Sequence, residues 1–129
     1  MPVRLGDTFL METPPNGMHL FVIVAGPDSN NCYLCVNITS CEIHVEYEDE
    51  DRSCILLPGC HEFITSPSRA NYADAVCYEE NVILYELKRK GFKQKTSVNT
   101  GVLKKLQNGL LISDSLPGKY RRFISTINI

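Results

Sequence analysis

The chain has no tryptophan, no low-complexity segment and no internal repeat, and its 129 residues leave room for one domain with a real core. Its longest apolar run, His19 to Ala25, is far too short to span a bilayer, which excludes a helical membrane protein. The opening MPVRLGDTF has no apolar signal core, so a cytoplasmic protein is expected. Positive charge is scarce at first: residues 1–86 carry Arg4, Arg52 and Arg69 against 14 acidic residues. Residues 87–129 reverse this, with 10 basic residues against Asp114 alone, and the net charge is only −2. The basic half can attract RNA or an acidic partner, or simply neutralise the rest of its own domain.

Metal signatures are also thin. Cys32 and Cys35 form a C-x-x-C, but they sit in a strand-like run, where positions i and i+3 point to opposite faces and zinc ligands cannot converge. Cys41, Cys54, Cys60 and Cys77 are scattered, so free thiols are expected, and Cys60-His61 is left as a pair that would need distant partners to hold zinc. The acidic stretch Glu48 to Asp51 lacks the ligand spacing and central glycine of a calcium loop and reads as a solvated hairpin tip. No metal and no cofactor is expected.

What is present is strand after strand. Met18 to Gly26 is rich in β-branched and aromatic residues, as a strand buried on both faces requires. Gly26-Pro27 and Asp28-Ser29-Asn30-Asn31 are turn formers, and Cys32 to Thr39 returns as its antiparallel partner. Leu5 to Glu12 forms the preceding strand, closed by Thr13-Pro14-Pro15-Asn16-Gly17. Glu42 to Tyr47 alternates like a half-exposed strand, and Ser53 to Leu57 is a short one. In Ala70 to Cys77, Ala70, Tyr72, Asp74 and Val76 are expected on one face and Asn71, Ala73, Ala75 and Cys77 on the other. Val82 to Leu87 fits either a strand or a short helix.

The tail is helical. Thr96 or Ser97 can cap a helix to about Ile112 with Val98, Val102, Leu103, Leu106, Leu110 and Leu111 as its apolar stripe. A second short helix with Pro117 in its first turn carries Lys119, Arg121 and Arg122. The expected fold is a mainly β single domain, a small bent antiparallel sheet or barrel to about residue 95, with a helical part over about 96–125.

The order of these signals resembles the MazF/PemK-like toxins of bacterial toxin–antitoxin pairs. Arg4-Leu5-Gly6-Asp7 resembles the family's Arg-Gly-Asp/Glu strand start with one residue inserted. Phe21-Val22-Ile23-Val24 resembles its second strand, and Val36-Asn37-Ile38-Thr39-Ser40 its third, which typically ends Ile-Thr-Ser. His61-Glu62-Phe63-Ile64 and Ser68 to Ala75 resemble a motif of divergent relatives, and Val98 to Ile112 stands where the family has its C-terminal helix. The resemblance implies an SH3-like antiparallel barrel and a homodimer. It further implies metal-independent cleavage of single-stranded RNA to a 2′,3′-cyclic phosphate, and an antitoxin protein that plugs the RNA groove. Met18-His19 stands where the family has Arg-Pro before its second strand.

Such cleavage needs a base for the 2′-hydroxyl, an acid for the leaving oxygen and a group to hold the phosphorane charge. The resemblance points to Thr39, with Ser40 beside it, as positioning donors, and to Arg69 as the charge stabiliser, with Asp74 near it. His19 is a candidate acid or base, or is an exposed residue at a strand start. His61, Ser68 and Tyr72 are candidate substrate contacts. Several have a structural alternative: Thr39 and Ser40 form a β-turn that bonds its own backbone, His61 fixes the turn after Pro58-Gly59, Arg69 pairs with the Glu48 to Asp51 stretch, and Tyr72 fills the core. The competing class is an SH3-like barrel without catalysis whose groove binds a peptide or protein.

Overall fold

The structure is a computed structural model that describes residues 2–14, 17–42 and 50–127. The described residues form six strands: β1 (Thr8–Glu12), β2 (Met18–Ala25), β3 (Cys32–Ser40), β4 (Ile55–Leu56), β5 (Ser68–Glu79) and β6 (Lys93–Lys95). Helix α1 (Glu80–Lys88) separates β5 from β6, and α2 (Thr100–Ile112) and α3 (Gly118–Ser125) follow. The strands make one antiparallel sheet in the order β4-β5-β3-β2-β1-β6, curved into a half-barrel. Apart from Glu42, which is in no strand, the strand expected over Glu42 to Tyr47 and the first part of the acidic tip lie outside the described residues.

The central hairpin forms as the apolar run requires. Leu20, Phe21, Val22, Ile23, Val24 and Ala25 are all buried, because both faces of β2 are covered along most of its length. Leu20, Val22 and Val24 join Leu34, Val36, Ile38, Ala70 and Tyr72 under α2, whose Val102, Leu106 and Leu110 fill the larger core. Phe9, Phe21, Ile23, Tyr33 and Cys35 form a second core on the opposite face, covered by Ile83 of α1 and by Phe92. Phe9 stacks on Phe21 and Phe92 with ring centroids 5.6 and 4.2 Å apart. Cys35 lies in this second core and Cys32 borders a cleft beneath α3, so the C-x-x-C splits between faces as its spacing predicts. All six cysteines are free thiols.

The run Val82 to Leu87 is helical, and its N-terminus is anchored. Glu80 accepts hydrogen bonds from Val3 N (3.0 Å) and from Asn31 Nδ2 (3.3 Å), while burying Ile83 seats the helix. Helix α2 starts later than expected. Asn99 is its cap, accepting from Val102 N at 2.8 Å. Thr96 and Ser97 have other partners: their hydroxyls donate to Glu62 and Asp7, and the Thr96 carbonyl accepts from His61. Gly109 lets α2 sit directly on β5, since a Cβ there would lie 2.8 Å from Cys54 Cβ and closer still to Tyr72 Oη.

The two faces of β5 do not alternate strictly. Asn71 pairs with Asn37, but the next pair on is Val76 with Cys35, so the intervening residues bulge. Ala70, Tyr72 and Ala75 therefore enter the α2 core, while Val76 packs in the α1 core. The expected grouping of Val76 with Tyr72 fails for that reason. Strand β6 was not legible from its residues, Lys-Gln-Lys, and forms by pairing along β1 at the sheet edge.

Asp51 closes the structure behind β4. It accepts from Ser53 N (2.9 Å), Ser53 Oγ (2.5 Å) and Ser113 Oγ (2.5 Å), and also from the Ser115 hydroxyl. Burial raises its carboxyl pKa, but these donors from Ser113, Ser115 and Ser53 outweigh that and hold it below the usual value.

Candidate functional site

Strand pairing decides which polar side chains meet. Met11 lies opposite His19, and the Leu20–Ile38 pair sets His19 beside Thr39. Thr39 lies opposite Arg69. Residues directly opposite one another share a face, so Met11, His19, Thr39 and Arg69 form one lateral row. Phe21, Asn37 and Asn71 form the next row on that same face. Helix α1 covers the far half of this face; of the two rows, Met11, His19, Thr39, Arg69 and Asn71 are partly exposed, whereas Phe21 and Asn37 are buried.

Two clefts flank this end of the sheet. On the α1 side, a cleft of about 350 Å³ is bordered by Met11, Phe21, Asn37, Asn71, Asp74 and Val76. On the α2 side, a cleft of about 320 Å³ is bordered by Leu20, Ile38, Ser40, Phe63, Ile64 and Ser68. His19 and Thr39 border both. His19 is half-buried, and its Nδ1 shares a hydrogen bond with Thr13 Oγ1, which leaves Nε2 for a ligand.

The candidates from the sequence divide by face. Thr39 and Arg69 stand with His19 on the α1 side. Ser40 pairs with Ser68 one residue further along, on the α2 side, and both hydroxyls engage Ser66: Ser40 Oγ at 3.2 Å from Ser66 Oγ, and Ser68 Oγ donating to Ser66 O at 3.0 Å. Arg69 is not idle: its Nε lies 3.3 Å from Glu50 Oε1, and Glu50 also meets Arg52 at 2.6 Å. The pairing of Arg69 with the acidic stretch, foreseen as its alternative, is therefore present.

His61 and Tyr72 are not at the site. His61 is buried; its Nδ1 accepts from Phe63 N (3.1 Å) and its Nε2 donates to Thr96 O (2.6 Å). That fixes the neutral Nε2–H tautomer and ties the loop before β5 to the segment before α2. Both ring nitrogens being engaged, Cys60-His61 has no ligand nitrogen to offer, and among the described residues no three His, Cys, Asp or Glu side chains group to hold a metal. Tyr72 is fully buried and donates to Leu106 O at 2.7 Å, so it has no ring face for a base.

Three contributors were missed by the sequence reading. Asn37 is a polar residue inside an apolar strand, which is the signal that singles it out. Asn71 Nδ2 donates to Asp74 Oδ2 at 2.9 Å, bringing both to the α1-side cleft. Phe63, 45% exposed, borders the other cleft, and Lys95 Nζ of β6 sits 4.9 Å from its ring centroid. Part of the basic half thus reaches the rim of the site. No helix among the described residues is long and apolar enough to cross a membrane.

These features define an antiparallel half-barrel with helices after its last strand and a polar double cleft at one end. Comparison with protein-family models, with curated proteins and with solved structures found no match.

Proposed function

We propose that the protein is a cytoplasmic, MazF/PemK-like SH3-like barrel that cleaves single-stranded RNA without a metal, as the toxin of a toxin–antitoxin pair. The observation that carries this reading is the row His19–Thr39–Arg69 on the open face. It sets a titratable ring, a hydroxyl donor and a cation side by side, the group types that transesterification at phosphorus needs. His19 exchanges the proton, taking it from the attacking 2′-hydroxyl or delivering it to the leaving 5′-oxygen. Thr39 donates to a non-bridging oxygen, and Arg69 offsets the added charge once the phosphate competes with Glu50. Ser40 and Ser68 would contact the strand on the α2 side, where Lys95 and Phe63 offer a cation and an exposed ring. The chain would act as a homodimer, and an acidic antitoxin segment would occupy the same clefts.

The test is cleavage of end-labelled single-stranded RNA in EDTA by wild type, His19→Ala and Arg69→Ala. Cleavage with cyclic-phosphate ends, lost by about 100-fold or more in His19→Ala, is expected. Cleavage that survives both substitutions discards these residues. Absence of cleavage at any concentration favours the second reading, a barrel that binds a peptide or protein without chemistry. The Glu50–Arg69 ion pair is the observation on that side, since it already neutralises the cation of the row.

A further inference from the structure

The register of the sheet edge places two cations that the reacting row does not use. Lys93 lies opposite Leu10 and Lys95 opposite Thr8. Leu10 belongs to the core under α2, so the face that it shares with Lys93 and Lys95 is the α2 side. Gln94, between them, lies opposite Phe9 of the α1 core and faces the other way. Lys93 is exposed, and neither lysine has an ion pair among the described residues. Lys95 Nζ stands 4.9 Å from the Phe63 ring centroid. The neighbouring carboxylate of Glu62 accepts from Thr96 Oγ1 at 2.9 Å, which holds it against the segment before α2.

Leu10 ties this edge to the candidate site, because it also borders the α2-side cleft. The buried side chains of Leu10, Leu20 and Ile38 form the cleft floor, while Met18 and Phe63 at its border are 44% and 45% exposed. Single exposed apolar residues are ordinary, but two beside one cleft of about 320 Å³ make a surface that a flat ring can cover. His19 and Thr39 border the same cleft, so a strand with a phosphate against the row reaches it directly. Lysines on an edge strand also deter pairing with a second sheet. That role asks only for charge; it does not account for the exposed Phe63 and Met18 beside the cations. Exposed apolar side chains for a base, next to cations for the backbone, are the pattern that single-stranded nucleic acid requires.

We propose that single-stranded RNA runs from the reacting row across the α2-side cleft to β6, with one base against Phe63 and Met18 and backbone phosphates on Lys95 and Lys93. The inference rests on the RNA reading above and adds to it the path of the strand, which crosses neither α1 nor α3.

The probe is a short single-stranded RNA made uncleavable by 2′-O-methylation, and its affinity is measured over a salt series. The proteins are wild type, Lys93→Gln, Lys95→Gln, Phe63→Ala and, as a control, Lys88→Gln, which removes the same charge from the end of α1. Lys93→Gln and Lys95→Gln are each expected to lower the slope of log Kd against log salt by about 0.7, one phosphate contact, while Lys88→Gln keeps the wild-type slope. Phe63→Ala is expected to weaken binding about tenfold with the slope unchanged, since stacking releases no counterions. Slopes that are alike in all five proteins, an equal loss in Lys88→Gln, or unchanged affinity in Phe63→Ala overturns the inference. A polyglutamate peptide is the second probe: binding of it in preference to the RNA, lost in the β6 lysine variants, assigns this edge to a protein partner and also overturns the inference. Because the readout needs no catalysis, the expected slopes without RNA cleavage by wild type keep the path and discard the nuclease. Cleavage with slopes that the β6 lysines do not change does the reverse.

Discussion

Leu20 and Ile38 on one face, and His19 and Thr39 on the other, come from the same two strand ends, yet they meet different fates. Under α2 itself the face is closed, since Gly109 brings the helix onto Tyr72 and Cys54 and Leu106 and Leu110 are fully buried, and only its end at Leu20, Ile38 and Ser40 borders a cleft. The α1 face is sealed over Ile23 and Cys35 but not over His19, Thr39 and Asn71. Polar residues there have incomplete partners, whereas every polar group under α2 that is named above has one. A sheet that stabilises itself through one face is free to carry poorly satisfied groups on the other, which is where binding sites are usually found.

The largest effect is expected where α2 closes on β5. Gly109→Ala forces a methyl group against Tyr72 Oη and Cys54 Cβ, and overpacking of this kind costs about 1–3 kcal/mol. Urea unfolding is expected to show that loss as a lower midpoint with an unchanged slope. Tyr72→Phe removes the hydrogen bond to Leu106 O and is expected to cost about 0.5–1.5 kcal/mol in the same assay. Wild-type stability at that position would show that the hydroxyl is dispensable to the α2 core.

Acid gives a milder test of the clamp beside the sealed core. The folded-state pKa of Asp51 lies below its unfolded value, so its stabilisation is complete above the unfolded pKa and declines as pH falls through the folded one. Melting curves at descending pH are expected to fall below about pH 4 in wild type, and less steeply in Asp51→Asn. Parallel curves would mean that other carboxyls dominate the acid limb.

The open side is expected to respond in the opposite sense. His19→Ala leaves stability within about 0.5 kcal/mol, while changing what the cleft binds. Glu50→Gln releases Arg69 from an ion pair whose side chains are only 19% and 14% exposed, so tighter RNA binding, by a few-fold, is expected at low salt together with a loss of stability.

How much of this was legible in the sequence follows from burial. The β2–β3 hairpin was readable because its run is buried on both faces, so periodicity hardly matters. Helix α2 was readable from its stripe, but its cap was not, since Thr96 and Ser97 are drawn to Glu62 and Asp7 by tertiary contacts. The bulge in β5 was invisible because it exists only in the β3–β5 register, and strand β6 because its residues favour no strand without β1 beside them. Of the candidate site, His19, Thr39 and Arg69 fall in one row on the open face. His61 and Tyr72 fall inside, because a polar group that has found a partner looks, in sequence, the same as one that awaits a ligand.

The most direct measurement is an NMR map of backbone shifts on adding a short single-stranded RNA made uncleavable by 2′-O-methylation. The shifts are expected to concentrate in residues 18–21, 37–40 and 69–74, at the open end of the sheet. Shifts confined to the outer face of α1 around Val82 and Tyr85, or to α3, with none near His19 and Thr39, would contradict it.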